Sequence, residues 1–192
     1  MTNQSNSSTG SKCSKTSLVH NLQTVVSHLT YCVEQAVSNG HPGTPQAATQ
    51  ARLAAARCLQ NGDKAQAEWY FALALAAVRA DKLTWSEELL RSLHDLFLIR
   101  FETGNLEQVL PLVEEMIPHL DRCESENGRP RLGTADLLHL KSYMLCVQRK
   151  YDDAIVALQG CLAIRKKQLG AGNALVEQNA LTLEELKKKE SA

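Results

Sequence analysis

The chain has 192 residues, of which 44% are hydrophobic and 22% are charged, a makeup that fits one globular domain or one short solenoid. Lys plus Arg equals Asp plus Glu at 21 each, and this balance excludes the basic footprint of a protein that binds nucleic acid or an acidic membrane. No apolar run approaches the roughly 18 residues of a transmembrane helix. We therefore predict a soluble protein that binds neither nucleic acid nor membrane.

The N-terminal segment is rich in Ser, Thr and Asn and lacks a hydrophobic period, which predicts a disordered tail over residues 1–17. It also lacks an apolar signal core, which predicts a cytoplasmic chain with reduced thiols. Apolar residues then recur at helical spacing from Leu18 to Ser38. Residues 18–39 are therefore assigned to an N-terminal packing helix, which Asn39-Gly40 ends.

Residues 40–190 are assigned to a helical-repeat domain that finishes in a capping helix. Asp63 with Gln66, and Asn105 with Gln108, have the spacing of helix N-terminal caps. Pro111 predicts a kink in the fifth helix because proline has no N–H to donate, and Pro118 predicts an early end to its regular part. The helices are expected at about residues 44–60, 63–80, 84–102, from 105 to a polar loop over 124–133, and then at 134–148, 151–169 and 174–189.

The predicted helices repeat as hairpins whose turns fall at Gly62, Gly104 and Arg149, with spacings of 42 and 45 residues. Self-similarity at such a period is the signature of a solenoid. Equivalent positions after each turn carry compact or apolar residues: Ala67, Val109 and Ala154 at the fifth position, and Ala74, Met116 and Cys161 at the twelfth.

These offsets resemble the tetratricopeptide repeat, whose second helix carries a small, an aromatic and another small residue at them; here the first copy has Ala67, Tyr70-Phe71 and Ala74. The segment KYDDAIVALQGCLAIRKKQLG is similar to the kinesin-light-chain-like repeats of about 42 residues. The run NGHPGTPQAATQARLA is similar to the loop between such repeats, and LGAGNALVEQNAL to the start of a fourth unit. The resemblance spans residues 40–186 and implies an all-α, right-handed helical-hairpin solenoid of about eight helices.

The sequence departs from this pattern at several positions. Arg149 replaces the turn glycine of the third copy, and the first helix of the first copy lacks the usual Trp, Leu, Gly and Tyr. Phe97 stands where a small residue is usual, which predicts a splayed second helix pair.

The resemblance also implies a function, because the first helices of such pairs line a concave face that binds other proteins. We therefore expect a non-enzymatic scaffold or adaptor that binds a peptide or a helix there. The sequence specifies neither the partner nor the oligomeric state. The predicted partner-binding residues are Thr49, Arg52, Gln60, Arg91, His94, Leu98, Glu102, Asp136, His139 and Tyr143, with Ala56 and Val147 completing the set by offset.

Residues capable of chemistry occur, but without a recognisable catalytic pattern. His28 and Cys32 are four residues apart, as are His119 and Cys123, so each pair could offer two metal ligands on one helical face. Zinc usually takes four ligands, and neither pair has a nearby complement, so we predict no metal and no cofactor. The nucleotide-binding, hydrolase and zinc-protease motifs are missing from the sequence.

Three alternatives stay open. The inner residues could form a solvated wall without a ligand. The chain could be a structural subunit of a larger helical-repeat assembly, with its end helices as interfaces, or an enzyme with a deep pocket of converging ionisable groups. The lysine run at residues 187–189 suits a helix C-terminus and leaves a nuclear location as an alternative to the cytoplasm.

Overall fold

A computed structural model of the chain describes residues 15–37, 46–80 and 87–190, and these residues form eight α-helices and no strand. The prediction of an all-α fold is confirmed for this part of the chain. No helix within it is long and apolar enough to cross a membrane. The helices are α1 Lys15–Val37, α2 Gln46–Gln60, α3 Lys64–Ala80, α4 Glu87–Glu102, α5 Leu106–Glu126, α6 Leu132–Val147, α7 Tyr151–Leu169 and α8 Ala174–Glu190.

The predicted helix boundaries hold best at the C-terminal end, where α7 begins and ends at the expected residues and α8 differs by one. The predicted tail overlaps α1, because residues 15–17 are helical. Residues 1–14, and the predicted helix ends at residues 38–45 and 84, lie outside the described residues.

Helix α5 contradicts two expectations. It continues through Pro111 and Pro118 to Glu126, so Pro118 does not end it early. Both prolines lie seven residues apart on the exposed side of the helix, where water can hydrate the carbonyl groups that lose an N–H donor. The predicted loop over 124–133 is also too long, since α5 includes Glu124 and α6 begins at Leu132.

Two predicted helix caps have different outcomes. The Asp63 carboxylate accepts a hydrogen bond from the Gln66 backbone N–H at 3.0 Å, which confirms the cap of α3. Asn105 lies at the N-cap of α5, but its side chain makes no capping hydrogen bond. The Gln108 N–H instead donates to the backbone oxygen of Asn105 at 3.1 Å, so the side-chain cap predicted there is wrong.

The three hairpin turns have the same backbone hydrogen-bond pattern. In each turn, the backbone N–H of the residue that follows the turn residue donates to the carbonyl oxygen five positions earlier. These bonds join Asp63 to Cys58 at 2.9 Å, Asn105 to Arg100 at 3.0 Å and Lys150 to Leu145 at 2.9 Å. The turn residues all have positive φ: 78° at Gly62, 75° at Gly104 and 60° at Arg149. Arg149 therefore adopts a left-handed conformation that glycine adopts at the equivalent positions.

The helices from α2 to α8 each contact the next helix along the chain. Helix α1 contacts α4, α5 and α6 instead of its sequence neighbour α2 in the described residues. The residues at the fifth and twelfth positions after each turn are all fully buried. Phe97 is also fully buried and stacks on Phe101 at 5.8 Å between ring centroids.

Candidate partner-binding groove

Helix α1 packs against α4, α5 and α6, and the surface of these three helices that it covers is called the groove here. Its buried residues Leu22, Val26, Leu29 and Val33 follow the spacing of a single helical stripe. Leu29 is fully buried and Val33 is 2% exposed, whereas Tyr31 on the opposite side is 58% exposed. The groove therefore receives one face of an amphipathic helix.

Two polar contacts fix α1 to residues that were predicted to bind a partner. The Thr30 hydroxyl is 3.2 Å from Nε2 of His94 on α4. His28 Nδ1 contacts a carboxylate oxygen of Asp136 on α6. The other oxygen of Asp136 accepts a hydrogen bond from Nη2 of the buried Arg165 on α7 at 2.6 Å. Asp136 thus links α1, α6 and α7 in one charged network.

The histidines near this groove have opposite electrostatic environments. The hydrogen bond with Asp136 is the main cause that raises the pKa of His28 to about 10, with a smaller contribution from Cys32 and against the effect of burial. Burial, with help from the Arg52 charge, lowers the pKa of His94 to about 4. Burial and the Arg165 charge lower the pKa of His139 to about 4. At neutral pH, His28 is therefore a cation, and the other two are neutral.

Helices α1 and α6 approach each other closely at Gly133. A Cβ atom at this position would lie 2.7 Å from Cβ of Cys32, which is closer than two carbon atoms can pack. The backbone N–H of Gly133 donates to a carboxylate oxygen of Glu124 at 2.8 Å. The second oxygen of Glu124 accepts hydrogen bonds from the Thr134 hydroxyl at 2.7 Å and the Thr134 N–H at 3.1 Å. Glu124 thereby caps the N-terminus of α6 beside the groove.

Arg52 makes a second polar cluster between α2 and α4. Its guanidinium donates to Asp95 at 2.7 Å and to Glu88 at 3.0 Å. Arg91 lies 3.9 Å from the other oxygen of Glu88. These charges balance one another across the two helices, so the cluster contributes to packing between α2 and α4.

The predicted binding residues therefore separate into three groups. His94 and Asp136 are buried, and both contact α1. Arg52, Arg91, Leu98, His139 and Tyr143 are partly exposed. Thr49, Ala56, Gln60, Glu102 and Val147 are exposed, with Glu102 3.3 Å from Lys64.

Sequence reasoning missed the contribution of α1 to this site. The stripe of α1 is visible in the sequence, but the residues that it meets are not, because His28 and Asp136 are 108 positions apart. A local signal did exist in Gly133, since a glycine in the first turn of a helix often indicates a close approach.

No group of three or more His, Cys, Asp or Glu side chains in the described part of the chain could hold a metal ion. No protein-family model matches the sequence, and no curated protein is significantly similar to it. The geometry of the groove is therefore the basis for the function proposed below.

Proposed function

We propose that this chain is a non-enzymatic, cytoplasmic interaction scaffold built as a tetratricopeptide-like array, and that the groove formed by α4, α5 and α6 binds an amphipathic helix of a partner protein. The observation that carries the proposal is the position of α1. It lies across three later helices with its apolar stripe buried and two polar contacts satisfied. A groove that holds such a helix from its own chain has the shape and chemistry to hold one from another protein.

The array interpretation is supported by the three equivalent turns, with their shared hydrogen bonds and positive φ, and by the burial of equivalent positions after them. In such an array each hairpin covers its neighbour and leaves an extended inner surface for a partner. A partner that binds the α4–α6 groove must displace α1, so α1 acts as an internal competitor.

Binding of α1 as a separate peptide tests the proposal. The probe is a fluorescent peptide with the sequence of residues 15–37, added to the full chain carrying Leu29→Glu. A charge at this fully buried position opposes docking of the chain's own helix. We expect saturable, one-to-one binding by fluorescence anisotropy. We also expect weak binding to the wild-type chain, where α1 competes at high effective concentration.

The matched control chain carries Tyr31→Glu, a substitution at an exposed position of the same helix. It should bind the peptide as weakly as wild type does. A control peptide with Leu29→Glu should not bind to any chain. If the unmodified peptide fails to saturate the Leu29→Glu chain, the groove does not bind helices in trans and the proposal is wrong.

A structural subunit of a larger assembly is the second candidate, favoured by exposed apolar side chains on two helices. Trp69 and Leu73 on α3 are 60% and 45% exposed, and Leu175 and Leu181 on α8 are also exposed. If these faces are interfaces, light scattering will show association that increases with concentration and weakens in Trp69→Lys. A monomer at all concentrations excludes self-assembly through these faces.

A further inference from the structure

The two flanks of the groove offer opposite hydrogen-bonding groups to the helix that it holds. On the α4 flank, the Thr30 hydroxyl donates to the backbone oxygen of Val26 at 2.9 Å, so its oxygen accepts from Nε2 of His94 at 3.2 Å. On the α6 flank, Nδ1 of His28 contacts a carboxylate oxygen of Asp136. A bound helix must therefore present an acceptor to α4 and a donor to α6.

Asp136 imposes the stricter of these two requirements. It is only 4% exposed, and one of its oxygens accepts a hydrogen bond from Nη2 of the buried Arg165 at 2.6 Å. The other oxygen faces His28 on α1. A helix that covered this oxygen with an apolar side chain would separate it from water without replacing the hydrogen bond, which weakens binding.

The position of His28 suits a cation better than a neutral donor. Its side chain is 45% exposed, whereas that of Asp136 is 6% exposed. A positive charge at this position therefore stays in contact with water while it donates to a buried carboxylate, so it loses little hydration. Hydrogen bonds between a cation and a carboxylate are also stronger than those from a neutral group.

A second buried carboxylate beside α1 makes no such demand. Glu124 lines a cleft together with Cys32 and Gln35 of α1. Both of its oxygens already accept hydrogen bonds from Gly133 and Thr134, so a bound helix need not supply another donor there. The requirement for a cation is thus confined to the position that faces Asp136.

On the basis of the function proposed above, we propose that the groove selects a partner helix with a Lys, Arg or His side chain that pairs with Asp136. The cation lies directly before the apolar residue that takes the place of Leu29. In the spacing of α1, buried apolar residues occupy the first, fifth, eighth and twelfth positions, and the cation occupies the seventh. Asp136 is therefore a residue that determines the specificity of the groove.

The test compares variants of the fluorescent peptide of residues 15–37 on the full chain carrying Leu29→Glu, by anisotropy at pH 7. The His28→Lys peptide should bind about as tightly as the unmodified peptide. The His28→Leu peptide should bind about 10- to 100-fold more weakly, because it leaves an Asp136 oxygen buried without a donor. Lys and Leu both favour helices, so differences in the helicity of the free peptides contribute little.

The control peptide carries His28→Leu together with Ser27→Lys, which places a cation at an exposed neighbouring position. It should bind as weakly as the His28→Leu peptide, because its charge does not face Asp136. Recovery of tight binding in this control would overturn the proposal, since any nearby cation would then suffice. A His28→Gln peptide that binds as tightly as the His28→Lys peptide would also overturn it, because a neutral donor would be enough.

A change in the chain completes the test. With Asp136→Asn added to Leu29→Glu, and folding verified by circular dichroism, the His28→Lys peptide should lose its advantage over the His28→Leu peptide. The peptide comparison on the chain with Asp136 intact decides the proposal if this variant does not fold. Equal affinities of the His28→Lys and His28→Leu peptides there would refute selection by Asp136 and leave the groove itself intact. Absence of binding by the unmodified peptide would instead refute the groove, and this inference with it.

Discussion

Substitution of Gly133 tests whether the contact between α1 and α6 holds α1 in the groove. In Gly133→Ala the new Cβ would lie 2.7 Å from Cβ of Cys32, and 2.9 Å from both a Glu124 oxygen and a Leu120 methyl carbon. The Glu124 and Leu120 atoms are ends of flexible side chains. The Cys32 Cβ is bonded to the backbone and can move only if α1 moves.

Overpacking of this kind destabilises by about 1–3 kcal/mol. Alanine gains up to about 1 kcal/mol over glycine within a helix, but residue 133 is the second residue of α6, where this gain is incomplete. We therefore expect docking of α1 to weaken by about 1–2 kcal/mol, which raises the undocked fraction roughly 5- to 30-fold.

Hydrogen exchange measured by mass spectrometry reports this change directly, because amides of α1 should exchange faster while those of α7 do not. Gly160→Ala is the matched control, since its Cβ would meet a Leu138 methyl carbon at an acceptable 3.4 Å. The double variant Cys32→Gly/Gly133→Ala lacks the clashing Cβ atom of residue 32. Its α1 amides should therefore exchange no faster than those of the single variant Cys32→Gly. Unchanged exchange of α1 in Gly133→Ala would refute the view that this contact limits docking.

Three further predictions concern the turns, the pH dependence and the Arg52 cluster. Arg149→Gly should stabilise the chain by about 1 kcal/mol, because glycine adopts the left-handed conformation without strain; urea unfolding measures this, and a loss of stability would contradict it. The pKa of His94 is about 4 in the folded chain, below its ordinary value of 6.5, so its protonation should reduce stability as the pH falls from 6.5 towards 4. His94→Gln should make the melting temperature flatter over that window, and an unchanged slope would count against burial of a neutral His94. Arg52→Ala should destabilise the chain by about 1–3 kcal/mol, because Asp95 loses its charged donor. The control Arg122→Ala removes an exposed ion pair with Glu126 and should change stability by at most about 0.5 kcal/mol. Equal effects of the two substitutions would show that the Arg52 cluster contributes no more than a surface ion pair.

The sequence predicted the local structure well because helices depend on neighbouring residues. Apolar spacing and turn residues were enough to place α7 at its observed ends, and the alignment of Arg149 with two glycines anticipated a shared turn geometry. The loop predicted at Glu124 is wrong because the burial of this residue depends on a contact with the following helix and not on its immediate neighbours. As a polar residue in a polar stretch it resembles a loop residue, but it is buried because it caps the helix that follows.

The candidate site was less predictable because it depends on contacts between distant parts of the chain. Helical offset identified His94 and Asp136 as inner residues, and the structure brings both to the groove. Their contact with α1 could not be predicted, because an amphipathic stripe shows that a helix face is buried but not which helices cover it. That the remaining predicted residues bind a partner stays a prediction.

The placement of α1 has a consequence for how the chain matures on the ribosome. His28 is synthesised 108 residues before its contact Asp136, an interval of roughly 5–20 seconds at ordinary translation rates. During that interval α4 and α5 are synthesised before α6, so the surface that covers the apolar stripe of α1 is incomplete until α6 follows. The nascent chain therefore exposes an apolar helix surface that chaperones can recognise. Docking of α1 can be completed only after α6 has left the exit tunnel.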